Sequence, residues 1–301
     1  MAMDRREFFA RTAIAGAAAA VAGAGALPAS RAQAAESAGE AQLNLSSQDG
    51  IIPGKELKEK LANMEKWGFN GVEFGGGGLN GRVKQIQEAL AGTKIKVSAI
   101  CAGYNECLMA ETAEKRKKAF DDIKRILEAA GELKSTGLIV VPAFNDQMKL
   151  SFVEGQKLLM PQLAELGEWA AKHGTRILLE PLNKGEAMFL RQLAVAACLC
   201  RALDNPGVAM MGDFYHMNKE EKDDYYAFLD AGSYLHHVHL ASASRVMPGQ
   251  DERSFVGGFK GLKKIGYRDY CSLECGCKGD KMVEIPKAVE FLRRQWDEAK
   301  V

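Results

Sequence analysis

Eight short apolar runs, each followed by an amphipathic stretch of helix length, constrain this 301-residue chain more than any other feature. The runs are 43–45, 71–74, 95–100, 138–141, 176–180, 208–212, 235–240 and 270–274. Between them, Leu57, Leu61 and Met64 share one helical face, as do Leu159, Leu163, Leu166 and Ala170, with charges opposite. Gly68 and Gly174 stand where a left-handed helix end needs no Cβ, and Thr112 can cap the helix that carries Phe120, Ile123 and Leu127. Even the phrasing repeats: Trp67-Gly68-Phe69 leading to Val72-Glu73 is echoed by Ile265-Gly266-Tyr267 leading to Leu273-Glu274. Parallel strands need helical crossovers and eight of them can close, so the pattern predicts a single (β/α)8 TIM barrel over residues 35–301, with a doubly wound open sheet as the alternative. A barrel carries a corollary: functional side chains belong at the C-terminal strand ends.

Residues 1–34 have a different composition. Arg5-Arg6-Glu7-Phe8-Phe9 precedes an Ala/Gly-rich run and Ala32-Gln33-Ala34, which reads as a twin-arginine-type signal peptide with a cleavage site. The expected address is therefore the periplasm, reached by export, with no stable membrane anchor. With 40 basic and 39 acidic residues the net charge is +1, which points away from nucleic acid and anionic membranes and towards a small-molecule substrate. Composition leaves self-association open. The seven cysteines are too irregularly spaced for a disulfide framework and read as buried thiols; the single Cys275-Gly276-Cys277 is weak as a metal motif.

The corollary can be tested by eye. Glu180, Asp213, His239 and Glu274 stand at the ends of the last four runs, and His216, three residues after Asp213, is expected beyond the turn that follows the strand. A carboxylate in such a place often caps the next helix, but four ligand-capable groups at one barrel end argue for convergence. Three carboxylates and one imidazole suit a hard divalent cation, Mn²⁺ first, with Mg²⁺ or Co²⁺ as alternatives. His173, in a last helical turn, reads as structural, whereas the other histidines crowd into 216–239, and only His237 shares a strand face with His239. Glu73 is expected to be a solvated charge and the four glycines at 75–78 a flexible loop.

These residues resemble the xylose-isomerase-like barrels of the sugar phosphate isomerase/epimerase family, and within it the ketose 3-epimerases. The resemblance implies that Glu180, Asp213, His239 and Glu274 are metal ligands, and that Glu186, His216 and Arg245, which match by spacing, bind substrate. Pro248-Gly249 is similar to a loop of the family, while the segments 101–112 and 142–147 depart from its sugar-contacting segments and leave the sugar open.

The chemistry so implied is proton transfer next to a carbonyl through an enediolate, with Glu180 and Glu274 as catalytic acid and base and a sugar or keto-sugar as substrate. Aldose–ketose isomerisation, and a lyase or hydratase reaction on 3-keto-glycosides, use the same groups. Outside catalysis stands a silent sugar-binding barrel. A metal-dependent endonuclease of the same ancestry would need more than the 5 histidines present and an excess of positive charge.

Overall fold

A computed structural model describes residues 40–301. The leader expected over 1–34 lies outside the described residues. Eight strands run β1 (Asn44–Ser47), β2 (Gly71–Gly75), β3 (Lys96–Cys101), β4 (Leu138–Val140), β5 (Ile177–Leu179), β6 (Val208–Asp213), β7 (Leu235–Leu240) and β8 (Tyr270–Leu273). They form one parallel sheet in the order β1-β8-β7-β6-β5-β4-β3-β2. A Gln48↔Glu73 bridge joins its two edges, with Asn70 N–H donating to Leu45 O at 2.7 Å and Asp49 N–H to Glu73 O at 2.9 Å. The eight-stranded barrel read from the sequence is the observed fold, each strand lying within two residues of its expected run.

The crossovers are α1 (Leu57–Trp67), α2 (Val83–Leu90), α3 (Ala113–Glu132), α4 (Phe152–Lys172), α5 (Leu193–Leu203), α6 (Phe214–Glu220), α7 (Asp224–Ala231) and α8 (Val256–Lys264), with α9 (Lys281–Glu298) closing the ring. Each buries one apolar face: Leu61 and Met64 on α1, and Leu159, Leu163, Leu166 and Ala170 on α4, are buried against the strands. Thr112 caps α3 by accepting the Lys115 N–H, and Ser151 with Glu154 forms a reciprocal capping box on α4. Gly68 ends α1 in the left-handed conformation, φ 81°. Among the described residues no helix is long and apolar enough to cross a membrane.

The barrel interior follows from strand alternation. Ala209, Met211 and Asp213 of β6 alternate with Val208, Met210 and Gly212. Ala209 and Met211 pack with Ala99, Ile139 and Leu178 inside the barrel, whereas Val208 and Met210 join the larger core under the helices. Apolar filling therefore occupies one level of the interior, and polar side chains stand at the C-terminal end above it. Of the glycines at 75–78, Gly75 ends β2 and Gly76 is closely packed: Gly76 N–H donates to Cys101 O, and a Cβ at Gly76 would lie 2.1 Å from Ala102 O, whereas Gly77 and Gly78 have open space around them.

One close approach seats the strand that carries Asp213. A Cβ on Gly207, immediately before β6, would lie 1.8 Å from Gly167 O on α4. Gly207→Ala must push helix and strand apart, so urea unfolding should show a loss of about 1–3 kcal/mol, the usual cost of overpacking; wild-type stability would show that this contact is slack.

Candidate active site

Strand ends bring the groups together. The main-chain N–H of Glu180 still pairs with Val140 O at 3.1 Å and that of Glu274 with Leu240 O at 3.3 Å, so both carboxylates start from fixed backbone one residue beyond β5 and β8. Asp213 and His239 are register partners on β6 and β7. One donor atom from each of Glu180, Asp213, His239 and Glu274 falls within a 4.8 Å cluster. His239 Nδ1 lies 3.8 Å from Glu180 Oε1 and 3.4 Å from Glu274 Oε2.

Asp213 does two jobs with two oxygens. It is the N-cap of α6, its Oδ1 accepting the Tyr215 N–H at 2.7 Å, while Oδ2 is buried with no hydrogen-bond partner. Capping and ligation, alternatives on sequence grounds, are thus compatible in one residue. The same cap corrects the expectation that His216 lies past a turn: the helix starts at the strand end and His216 stands in its first turn, with Nε2 3.5 Å from Asp213 Oδ2.

Glu73 also departs from expectation. It is fully buried, not solvated, because its side chain enters the barrel from β2. Its carboxylate takes up His237 Nε2 at 2.8 Å, His239 Nε2 at 3.0 Å and Gln48 Nε2 at 2.9 Å. Burial opposes its charge, but His239 and His237 outweigh burial and hold it ionised well below the usual carboxylate range. The sequence signal was there: Glu73 is a lone carboxylate inside an apolar run that reads as a strand.

Electrostatically the cluster sets three carboxylates against one imidazole, with Arg245 paired to Glu274 at its side. Burial pushes Glu180 well up, with Glu274 and Asp213 adding to it against His239, and burial raises Asp213 to about 6. Glu274 goes the other way: His239 and Arg245 overcome its burial and lower it to about 2. For His239, burial opposes protonation, yet Glu73 and Glu274 raise it well above the usual imidazole range. Crowded carboxylates, two of them with raised proton affinity, with Asp213 Oδ2 and His239 Nδ1 both unpartnered, are what a site for one divalent cation presents. Its donors are oxygen-rich, as Mn²⁺, Mg²⁺ or Co²⁺ prefer.

Around this cluster stand the other three candidates. Arg245 Nη2 pairs with Glu274 Oε2 at 2.6 Å, Nη1 lies 3.8 Å from Glu186 Oε1, and the guanidinium covers the Tyr215 ring at 4.6 Å. Its backbone is left-handed, φ 57°. Asn183, which the sequence reading missed, ties two of them: its Nδ2 donates to Glu186 Oε1 at 2.8 Å and lies 2.8 Å from His216 Nδ1, which also accepts the Asn183 N–H at 3.1 Å. With Nδ1 accepting, the hydrogen of neutral His216 is on Nε2. Burial and Arg245 lower His216 to about 3, so it stays neutral. The remaining candidates fall outside. His173 closes α4 with its ring on Trp169, 5.0 Å between centroids, and His236 pairs with Asp269 at 2.7 Å. None of the seven cysteines is in a disulfide, but the expected burial holds for Cys107, Cys200 and Cys271 only: Cys101, Cys275 and Cys277 are half-buried and Cys198 is exposed, and no metal-like cluster of the described residues includes one.

Known proteins share this fold. A family model described as a xylose isomerase-like TIM barrel matches residues 61–295. The 3-dehydro-D-guloside 4-epimerase of Escherichia coli (strain K12) is 29% identical over 240 residues, covering 77% of this chain and 92% of that protein. A probable ketose 3-epimerase of Synechocystis sp. is 32% identical over 109 residues, 36% of this chain and 38% of the relative. The crystal structure of an apo 3-keto-D-glucoside 4-epimerase from E. coli superposes with a TM-score of 0.78 at 28% identity, covering 84% of this chain and all of that one.

A cation that binds the folded site alone should stabilise the fold by mass action. At Mn²⁺ one hundred times its Kd, the free energy of unfolding should rise by about 2.7 kcal/mol and fall back with chelator. In Asp213→Ala the increment should vanish; an equal gain in that variant would place the ion elsewhere.

Proposed function

We propose that this chain, which belongs to the xylose isomerase-like TIM barrel family, is a divalent-metal-dependent sugar epimerase that inverts a hydroxyl-bearing carbon next to a ketone. The observation that carries the reading is the pair Glu180 and Glu274. They rise from β5 and β8, three strands apart in the barrel, into one cluster, and their surroundings push their proton affinities in opposite directions. Two carboxylates so divided can serve as acid and base.

In the proposed reaction one glutamate takes the proton from the carbon beside the ketone. The C–H electron pair becomes a carbon–carbon double bond, and the carbonyl π pair moves onto its oxygen. The other glutamate then returns a proton to the opposite face, the carbonyl re-forms, and the hydroxyl at that carbon is inverted. A divalent ion held by Glu180, Asp213, His239 and Glu274 supplies positive charge beside the oxygens that gain electron density. Arg245 and Glu186 orient substrate hydroxyls, and neutral His216 offers its Nε2 hydrogen. A silent binding barrel would have no use for two glutamates placed this way.

Among substrates, a 3-keto-glycoside epimerised at C4 is the first reading, since the relative named for that chemistry aligns over 92% of its length. Ketose 3-epimerisation is the second, supported by the 32% identity over 109 residues with a probable ketose 3-epimerase. If the leader expected over 1–34 is used, the reaction takes place in the periplasm.

Incubation of Mn²⁺-loaded protein with a 3-keto-glucoside, and separately with free ketoses, in D₂O distinguishes these outcomes by NMR. Deuterium at C4 of the glycoside, with an inverted centre, supports the first reading, and deuterium at C3 of a ketose the second. Loss of the aglycone would mean a lyase, deuterium on C2 of an aldose product an isomerase, and no exchange in any substrate would sink the proposal. Glu180→Gln and Glu274→Gln should each lower kcat by about 10²–10⁴ with a smaller change in KM.

A further inference from the structure

Below the four candidate ligands, deeper in the barrel, lies a polar group that the proposed chemistry does not use. We propose that Glu73 and Gln48 are positioning residues: Glu73 sets which nitrogen of His239 faces the site, and Gln48 ties that carboxylate to Glu274. The inference rests on the reading of His239 as a metal ligand.

The donors and acceptors leave little freedom. An ionised carboxylate only accepts, so the atoms facing Glu73 must donate. His239 Nε2, at 3.0 Å from Oε2 and 3.2 Å from Oε1, therefore carries hydrogen, and Nδ1, the unpartnered atom that faces Glu180 and Glu274, is the nitrogen whose lone pair a cation would take in place of a proton. His237, two residues earlier on the same face of β7, donates its own Nε2–H to Glu73 Oε2 at 2.8 Å and so anchors the carboxylate from the same strand. Gln48 supplies both hydrogens of one amide nitrogen, one to Glu73 Oε1 at 2.9 Å and one to Glu274 Oε1 at 3.0 Å. The amide cannot turn over without aiming its oxygen at two carboxylates. Glu274 is thereby held on Oε1 by Gln48 and on Oε2 by Arg245, which fixes its plane relative to His239. An orienting carboxylate behind an imidazole ligand raises the basicity of the ligating nitrogen and locks the ring, and losing one typically weakens metal binding 10–100-fold.

The rival assignment is a second metal ion among Glu73, His237 and His239, whose donor atoms also cluster. Mn²⁺ titration of the full chain, following free ion by electron paramagnetic resonance, separates the two. We expect one ion per chain in the wild type, affinity reduced about 10–100-fold in Glu73→Gln, and a loss of about 10-fold in Gln48→Leu, each with native circular dichroism. Affinity within twofold of wild type in Glu73→Gln overturns the proposal, and in Gln48→Leu it overturns the part assigned to Gln48. Two ions in the wild type with one lost in Glu73→Gln would make the group a metal site. Should Glu73→Gln fail to fold, ¹⁵N NMR of the His239 ring in Mg²⁺-loaded wild type decides: Nε2–H supports the assignment and Nδ1–H overturns it. None of these readouts needs turnover, so they stand even if no sugar proves to be a substrate. No Mn²⁺ binding by the wild type would overturn the ligand reading along with this one.

Discussion

Negative charge buried at one end of the barrel is the constraint to which the rest of the molecule answers. Glu73, Glu180 and Asp213 are buried there and Glu274 nearly so, and an uncompensated buried carboxylate costs several kcal/mol. The fold meets that cost in two ways. Glu73 is compensated within the chain by His237, His239 and Gln48. Glu180 and Asp213 are left with higher proton affinity, which a divalent ion would relieve. The same end is thus satisfied where it must be rigid and undersatisfied where it must bind.

That division coincides with the seam of the barrel. β1 and β2 are the two edges of the sheet, and they meet through a single bridge, Gln48↔Glu73. The residues that close the sheet by their backbone are also those whose side chains reach His239 and Glu274. Closure and site geometry cannot then vary independently: a shift of β1 against β2 moves Gln48 relative to Glu274, and with it one of the two contacts holding that carboxylate.

Much of this was legible because strand ends are regular. A short apolar run that carries a ligand-capable side chain at its end announces both the strand and its mouth, and Glu180, Asp213, His239 and Glu274 stand out in that way. Glu73 was misread because a single charge near the end of an apolar run, shortly before glycines, matches a solvated turn equally well; only the three-dimensional partners, Gln48 just past β1 and the histidines of β7, distinguish them. His216 was placed beyond a turn because Asp213 was assigned one role, when its two oxygens allow it to end a strand and begin a helix. Asn183 carried no signal of its own, since its importance lies in two contacts, one of them to a residue 33 positions away.

The free thiols have a further consequence, in chemical durability. Thiolates, not thiols, react with oxidants and electrophiles. Burial raises Cys101 well above the ordinary thiol range, reinforced by Glu73, Glu180 and Glu274, and burial likewise raises Cys271 and brings Cys275 to about 12. Burial and the carboxylates gathered at this end thus together keep Cys101, the last residue of β3, in its unreactive form. A chain with seven cysteines and no disulfide can in this way keep its centre intact among oxidants, and alkylating reagents should reach exposed Cys198 long before any thiol that matters to the site.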